Sequence, residues 1–482
     1  MGDGHGMRRP LVLDVDGTFL RTDLLLECFW AGLHRAPLAT LSASLRHLRD
    51  RAALKRALAD IATPRLDLMP LNPDIAARAL EAREAGREVV LASASDRTLV
   101  AGLAAQYGFS ADSLASDGQT NLKGAVKAQA LVAAHGARGF DYAGDSAADR
   151  PVWEAAERAL IVGHRPRIAR ALRARGHDVQ EIPGGWHLRD LVRALRPHQW
   201  VKNVLLFLPM LAAHDFALNT LLLVLAGIAA FSAAASCIYI VNDLLDLEAD
   251  RLHPTKCNRP FACGAVPIGV GMFTALVLAG FALGGGLLLG PAFLAVIVLY
   301  MTLSLAYSLR LKRMRWVDIA TLAALYTLRV VAGAAASGVA ASFLMLVFVF
   351  PVFLTLGCVK RMTELALAQN NHRLPGRGYA RSDRGDLLNV AGLGTVGALL
   401  IFFSYSFSPQ AQALYPAQWL LWVAMIPIAV WLIRMVRLGY RGAQDYDPIV
   451  FALHDKAGLS LILVTLGLMM QGAGLWTRWL GL

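Results

Sequence analysis

Cysteine is scarce: Cys28, Cys237, Cys257, Cys263 and Cys358 are the only five, and none stands in a CxxC or other metal-type spacing. The pattern excludes a disulfide framework and a zinc site, and an odd number in a partly cytosolic chain argues for free thiols. Charge is sparse too. Only 17% of the 482 residues are charged and 56% are hydrophobic, which is too apolar for a single soluble protein. No long apolar run of the secretory-leader kind precedes the first acidic motif in MGDGHGMRRPLVLDVDG, so the N-terminal part is expected to stay in the cytoplasm. The formal charge of +12 invites a nucleic-acid reading, but in the second half the basic residues sit in short loops between apolar runs, which is how membrane topology is encoded. No nucleic-acid partner is expected.

The apolarity is uneven. Up to about residue 200 the chain is rich in Arg, Asp and Glu, whereas beyond Asn203 it repeats apolar runs of roughly 17 to 25 residues, the bilayer-crossing length. A soluble domain, 1–187, therefore precedes a membrane domain, 188–482, which opens on a basic amphipathic segment, Leu188–Val201, suited to a membrane surface. Nine apolar segments follow, at roughly 203–217, 219–241, 266–287, 291–309, 317–337, 342–359, 388–407, 417–435 and 457–477, and they predict an all-α polytopic domain of about nine transmembrane helices. Pro209 and His214 interrupt the first. The loops after the second, fourth, sixth and eighth segments hold Arg251, Lys256, Arg259, Arg310, Lys312, Arg313, Arg315, Lys360, Arg361, Arg373, Arg377, Arg381, Arg384, Arg437, Arg441 and Lys456. The alternate loops hold neither Lys nor Arg. By the positive-inside rule the basic loops are expected on the cytoplasmic side of an inner membrane, with the soluble domain, and nine spans would leave Leu482 outside.

Within 1–187, short apolar runs at Leu11–Leu13, Val89–Ala92 and Phe140–Ala143 read as buried parallel strands, and residues 22–80 carry helical periodicity. The alternation predicts a doubly wound α/β domain with a small helical cap at about 20–82. The first strand ends in Asp14-Val-Asp16-Gly-Thr, and because alternate strand residues point the same way, two carboxylates share one side. One can attack phosphorus while the other handles the proton. Ser93 after the second strand and Lys127 near a helix start could hold phosphoryl oxygens, with Lys123 a competitor, and Asp145 with Asp149 could complete a Mg²⁺ site. The four motifs, in this order over about residues 9–180, resemble the haloacid dehalogenase superfamily. The resemblance implies Asp14 as nucleophile, Asp16 as general acid/base, Ser93 and Lys127 as phosphate binders, and magnesium held by Asp145 with Asp14, the Asp16 carbonyl and Asp149 nearby.

The second apolar segment ends in Asn242-Asp243-Leu-Leu-Asp246-Leu-Glu-Ala-Asp250. Spacings of three and four place Asp243, Asp246 and Asp250 on one helical face at the membrane edge, and such density of like charge needs a cation. Carboxylates that bind Mg²⁺ can hold a diphosphate and stabilise its departure. The motif NDxxDxxxD, with Arg251, His253-Pro-Thr-Lys256, Arg259-Pro and Gly264 behind it, resembles the UbiA superfamily of intramembrane transferases over about residues 190–482. That family has nine helical spans, a lipid-open apolar cavity and a Mg²⁺-diphosphate at the cytoplasmic cap.

Aromatic prenyltransferases of that superfamily carry a second acidic motif, DxxxD, after the sixth span. Here the stretch reads Lys360-Arg361-Met-Thr-Glu364, and a basic pair with one acid suits a phosphate better than a second metal. Together with Leu195-Arg-Pro-His-Gln-Trp-Val-Lys202-Asn203, Asp447-Pro-Ile and Asp455-Lys456, it resembles the decaprenyl-phosphate phosphoribosyltransferase branch, which moves ribose 5-phosphate from phosphoribosyl pyrophosphate to a polyprenyl phosphate. The resemblance implies Mg²⁺-pyrophosphate on Asp243, Asp246 and Asp250 with Asn242 orienting it, and substrate phosphates on Lys202, Lys256, Arg259, Lys360 and Arg361. Tyr307, Lys312 and Asp318 are weaker candidates. The fused hydrolase would then remove the ribose 5-phosphate. Two rivals remain: prenyl transfer from an isoprenoid diphosphate to an aromatic or other small acceptor, and a transporter with a regulatory phosphatase-like domain. Spans read as free of charge argue against the transporter. The sequence carries no signal for an oligomeric state.

Overall fold

The computed structural model describes residues 9–339, 342–368, 377–444 and 447–480. Arg373 and Leu482, used above for topology, lie outside the described residues. The chain folds into two compact units: residues up to Leu195 with Tyr239–Ala275, and Arg196–Ile238 with Leu276–Leu482.

The first unit is built on a six-stranded parallel sheet in the order β3-β2-β1-β4-β5-β6. The elements run β1 (Leu11–Leu13), α1 (Leu24–Arg35), α2 (Pro37–Arg46), α3 (Arg51–Ile61), α4 (Pro73–Glu84), β2 (Val89–Asp96), α5 (Arg97–Tyr107), β3 (Leu114–Ser116), α6 (Ala125–His135), β4 (Asp141–Gly144), α7 (Arg150–Ala155), β5 (Arg158–Val162), α8 (Pro166–Ala174), β6 (Asp178–Ile182) and α9 (Leu188–Leu195). Strand residues alternate between two cores. Leu11, Leu13 and Leu91 face one side with the first cap helices, while Val12, Val90 and Tyr142 face the other with α6 and α7. Asp23, Asp50, Asn72 and Asp96 accept main-chain N–H bonds at the starts of α1, α3, α4 and α5, which fixes where each helix begins. The strand order reverses around β1, so the C-terminal ends of β1, β2 and β4 open a crevice.

The helix expected over Leu188–Val201 ends early, at Leu195. Arg196 turns into the left-handed region at φ 53° before Pro197, whose ring disfavours a helical residue ahead of it, and Pro197–Phe207 continues as 3₁₀ turns. The chain then forms α10 (Leu208–Ala212), α11 (Leu218–Leu245), α12 (Leu247–Leu252), α13 (Ile268–Leu289), α14 (Pro291–Leu309), α15 (Val317–Ser337), α16 (Phe343–Leu367), α17 (Arg384–Ser406), α18 (Pro409–Leu414), α19 (Trp419–Arg441), α20 (Pro448–His454), α21 (Lys456–Gly472) and α22 (Leu475–Leu480). Among the described residues seven helices are long and apolar enough to cross a membrane. Two of the nine expected spans differ: the first is the 3₁₀ stretch plus the five residues of α10, and the last is α21, at 17 residues.

Exposed large side chains recur along α17 at Leu393, Val396, Leu400 and Phe403, with Phe407 just past its end, and along α19 at Trp419, Trp422, Ile426, Val430 and Ile433. These helical stripes are the lipid-facing surface of a multi-pass membrane protein. Between helices small residues permit close approach. A Cβ on Gly333 of α15 would lie 2.0 Å from the carbonyl oxygen of Leu206, and one on Gly439 would lie 2.7 Å from Val359. Gly333→Val is expected to lower the thermal midpoint of the detergent-solubilised protein, since overpacking costs about 1–3 kcal/mol. An unchanged midpoint would show that the 3₁₀ stretch is not seated against α15.

One expectation about the spans fails. Arg329 lies in α15 and is 4% exposed. Its Nε donates to Asn203 Oδ1 at 3.2 Å and its Nη2 to the Tyr300 hydroxyl at 3.2 Å, and the guanidinium sits over the rings of Phe231, Tyr300 and Tyr326. The spans are not free of charge, although this charge is enclosed by aromatic and amide partners.

Candidate active sites

The β1 end delivers Asp14 into the sheet crevice, and Lys127 from α6 meets it there. Lys127 Nζ donates to Asp14 Oδ1 at 2.9 Å, to the Tyr142 hydroxyl at 2.9 Å and to Asp149 Oδ1 at 3.3 Å, all buried. Lys123 is exposed, so the structure brings Lys127 and not its competitor to the nucleophile position. One carboxylate oxygen from each of Asp14, Asp145 and Asp149 lies within 4.8 Å of the others. Gly17, at φ 77°, passes so close that a Cβ would sit 2.6 Å from Asp145 Oδ2, which is why this turn of the motif requires glycine.

Asp16 faces elsewhere. Its Oδ2 accepts from Ser95 Oγ at 2.5 Å and Ser93 Oγ at 3.4 Å, and its Oδ1 accepts from Leu24 N at 2.8 Å. The two carboxylates of the DxD pair are thus held apart, one toward the acidic group and one toward hydroxyls at the start of the cap. Burial, with Asp149 and Asp16 close by, pushes the Asp14 carboxyl up to about 7 against the pull of Lys127. Burial with Asp14 and Asp149 likewise raises Asp145 to about 7, and burial with Asp23 raises Asp16 to about 6. Asp14 and Asp149 share one buried lysine, and Asp14, Asp145 and Asp149 converge as hard oxygen donors, so the set fits a divalent cation such as Mg²⁺. Sequence reasoning missed Ser95, Thr18, which donates to Asp145 at 3.2 Å, and Tyr142. It also missed Lys55 of the cap, whose Nζ reaches Ala94 O at 2.5 Å and Asn121 Oδ1 at 3.0 Å. Only tertiary structure brings a cap lysine to the end of β2.

The second acidic motif also belongs to the first unit. Asp243 and Asp250, both nearly fully buried, accept from the same Arg259 Nη1, at 3.1 and 2.7 Å. Asp246 stands at the break between α11 and α12, where its N–H still bonds Asn242 O at 3.0 Å and its carbonyl accepts from Asp250 N at 2.8 Å. The single-face expectation survives the break for Asp243 and Asp250, which Arg259 ties together. Asn242 Oδ1 is buried without a hydrogen-bond partner among the described residues. An orphaned carbonyl oxygen beside two buried carboxylates is a donor set a metal-bound diphosphate would complete. Lys256 lies exposed in the turn that follows.

In the second unit Lys202, 7% exposed, forms an ion pair with Asp447. Lys360 Nζ lies 3.7 Å from the same carboxylate, and the Tyr326 hydroxyl donates to it at 3.4 Å. Arg361, expected to meet a substrate phosphate, does not share this place. It is fully buried, with Nε on Asp318 Oδ2 at 2.5 Å, Nη1 on Glu364 Oε2 at 2.5 Å and Nη2 on the Tyr307 hydroxyl at 2.9 Å. Consecutive helical residues point about 100° apart, and here Lys360 turns to Asp447 while Arg361 turns to Asp318. Tyr307 and Asp318 therefore belong to an internal brace that Arg377 joins at 2.8 and 3.2 Å. Nearby in sequence, α16 and α19 also wall an apolar cavity of about 530 Å³, lined by Leu208, Met345, Phe348, Phe402, Trp431 and Met469 among others.

Comparison with known proteins matches residues 35–154 to haloacid dehalogenase-like hydrolases and residues 204–456 to the UbiA prenyltransferase family. The uncharacterized protein y4nM of Sinorhizobium fredii is 36% identical over 463 residues, spanning 94% of this chain and 89% of its own length. A decaprenyl-phosphate phosphoribosyltransferase of Mycobacterium tuberculosis is 33% identical over 287 residues, 58% of this chain and 92% of that enzyme. Nodulation protein NoeC of Azorhizobium caulinodans is 35% identical over 287 residues, 57% of this chain and 91% of its own. The chain is a member of the UbiA prenyltransferase family, a multi-pass membrane transferase that carries a haloacid dehalogenase-like hydrolase domain.

Proposed function

We propose that the membrane part transfers the 5-phosphoribosyl group of phosphoribosyl pyrophosphate to a polyprenyl phosphate at the cytoplasmic face, and that the hydrolase domain then removes the ribose 5-phosphate. The observation that carries this reading is the fate of the Lys360-Arg361-x-x-Glu364 element. Where a second metal-binding acid pair would serve a prenyl diphosphate, Glu364 is spent on a fully buried Arg361, and Lys360 turns with Lys202 to Asp447. Two lysines around one carboxylate suit a phosphate monoester.

In this scheme a phosphate oxygen of the lipid attacks the anomeric carbon of the ribose, the bond from that carbon to the diphosphate oxygen breaks, and pyrophosphate leaves with the electron pair. Magnesium, when bound, would neutralise that leaving group. Asp243 and Asp250 would hold it with Asp246, Asn242 would orient the diphosphate, and Arg259 would contribute charge once its carboxylates turn to the ion. Lys202 and Lys360 would hold the attacking phosphate, and the apolar cavity would take isoprenoid units of the chain. Lys256, in its exposed turn, is left as a contact for the incoming donor. In the hydrolase domain Asp14 would attack phosphorus, Asp16 would protonate the departing ribose oxygen, Ser93 with Lys127 would hold the phosphoryl oxygens, and water, giving its proton to Asp16, would then release phosphate from Asp14. Asp145 and Asp149 would hold Mg²⁺ with Asp14 and the Asp16 carbonyl. The M. tuberculosis relative, named for this phosphoribosyl transfer, supports the reading.

The test supplies membranes containing the protein with Mg²⁺, a polyprenyl phosphate and ribose-labelled phosphoribosyl pyrophosphate, and counts label in the organic phase. Label in lipid is the expected result. No label, with consumption of an isoprenoid diphosphate in the presence of a small acceptor, would replace this reading by prenyl transfer.

A further inference from the structure

The segment Tyr239–Ala275, which carries the whole acidic motif of the transferase, belongs to the same compact unit as the hydrolase domain. Within that unit, besides Lys127 with Asp14 and Asp149, a further ion pair is buried on both sides. Glu27 of α1 receives two bonds from Arg251, from Nη2 to Oε1 at 2.6 Å and from Nη1 to Oε2 at 3.1 Å, and the side chains are 3% and 6% exposed. Glu27 also accepts from Thr22 Oγ1 at 2.6 Å. Arg251 is the residue after Asp250, and its Nε donates to the carbonyl of Ala262 at 3.0 Å. That bond closes the loop from which Arg259 reaches back to Asp243 and Asp250. A second contact flanks it: Arg35, at the end of α1, pairs with Glu248 at 2.8 Å. The loop also turns tightly against the cap. Gly264, at φ 69°, leaves room for no more, since a Cβ there would meet the Arg21 carbonyl at 2.8 Å.

We infer that Glu27 of the hydrolase cap is a positioning residue for the transferase: by fixing Arg251, it holds the loop that sets Asp243, Asp250 and Arg259 in place. Bidentate charge-assisted bonds fix orientation as well as distance, and among the described residues Glu27 is the acid that Arg251 bonds. Without Glu27 a buried guanidinium loses its counter-charge, and the loop it staples to Ala262 is free to open. The hydrolase domain thereby completes the transferase site whether or not it hydrolyses anything. The inference rests on reading Asp243–Asp250 as the diphosphate site.

The test uses the full chain in membranes, with Glu27→Ala, Arg251→Glu, the exchanged pair Glu27→Arg with Arg251→Glu, and Arg158→Ala as a control at an exposed ion pair of the sheet. Three quantities are read: transfer of labelled ribose into lipid as a function of donor concentration, hydrolysis of p-nitrophenyl phosphate, and the alkylation rate of Cys263 in the loop. Glu27→Ala and Arg251→Glu are expected to raise the donor KM about tenfold or more. Both should speed alkylation of Cys263 and keep the hydrolysis rate, which reports an intact cap. The exchanged pair should recover part of the loss, and Arg158→Ala should match the parent. A Glu27→Ala protein with parental KM and parental alkylation overturns the inference. If the parent itself transfers no ribose, the reading of the donor fails, and the alkylation rates alone decide whether Glu27 holds the loop.

Discussion

Asp243→Ala is expected to abolish transfer into lipid, by about 10²–10³-fold in turnover or more. The size follows from where the residue sits. Asp243 is 2% exposed, shares Arg259 with Asp250, and stands beside the orphaned Asn242 oxygen. Removing it takes away a negative ligand at the point where diphosphate charge has to be balanced in the transition state, and it hands Arg259 wholly to Asp250. Asp243→Asn keeps the shape and loses the charge, so it separates the two effects: a ligand role predicts a loss close to that of alanine, a packing role predicts near-parental turnover. Turnover measured at saturating donor over a range of Mg²⁺ is the check. A variant that regains the parental rate at high Mg²⁺ would assign Asp243 to ion affinity, and one unaffected at any Mg²⁺ would remove it from the site.

The second large effect is expected at Asp14. Asp14→Asn should reduce hydrolysis of a phosphate monoester by about 10⁴-fold or more, the scale of losing a nucleophile. The substitution is chosen over Lys127→Ala, because Lys127 pairs with both Asp14 and Asp149, and its removal would leave buried carboxylates uncompensated at a cost of about 3–5 kcal/mol. With purified protein supplied with both transferase substrates, Asp14→Asn should accumulate a lipid that keeps the ribose 5-phosphate, two phosphates per ribose by mass, where the parent yields one. The sequential scheme gains its rate from tethering, which raises the effective concentration of product at the hydrolase. Equal dephosphorylation of the lipid by parent and variant would disconnect the two activities.

Local motifs carried most of what was legible in the sequence. The strand-end pair Asp14 and Asp16 could be read because period-two geometry is short-ranged, and Asp243 with Asp250 because i, i+3 and i+4 spacings are. The β-α alternation gave the doubly wound sheet for the same reason. What escaped depends on contacts far apart in the chain. Lys55 reaches the end of β2 only because the cap folds back, and Tyr142 bonds Lys127 and Asp149 from the strand between them. Arg361 looked like a phosphate ligand because it adjoins Lys360, but helical rotation sends it to Asp318 instead. Arg329 had a usable signal, the one basic residue in the middle of a 21-residue, mostly apolar helix, which the reading of the basic loops does not use. The first expected span holds no long helix, and the interruptions at Pro209 and His214 were the local signal for that.

Arg329 also sets an order of assembly. An arginine in the middle of a span costs about 2.5–3.5 kcal/mol on insertion, so α15 is a reluctant segment on its own. Its partners Asn203, Phe231 and Tyr300 all precede it in the chain and are synthesised first, while Tyr326 travels on the same helix. The nascent protein therefore offers the guanidinium a prepared socket as it leaves the ribosome. Asp318 on the same helix has the opposite schedule, since Arg361 and Arg377 arrive only with the following segments.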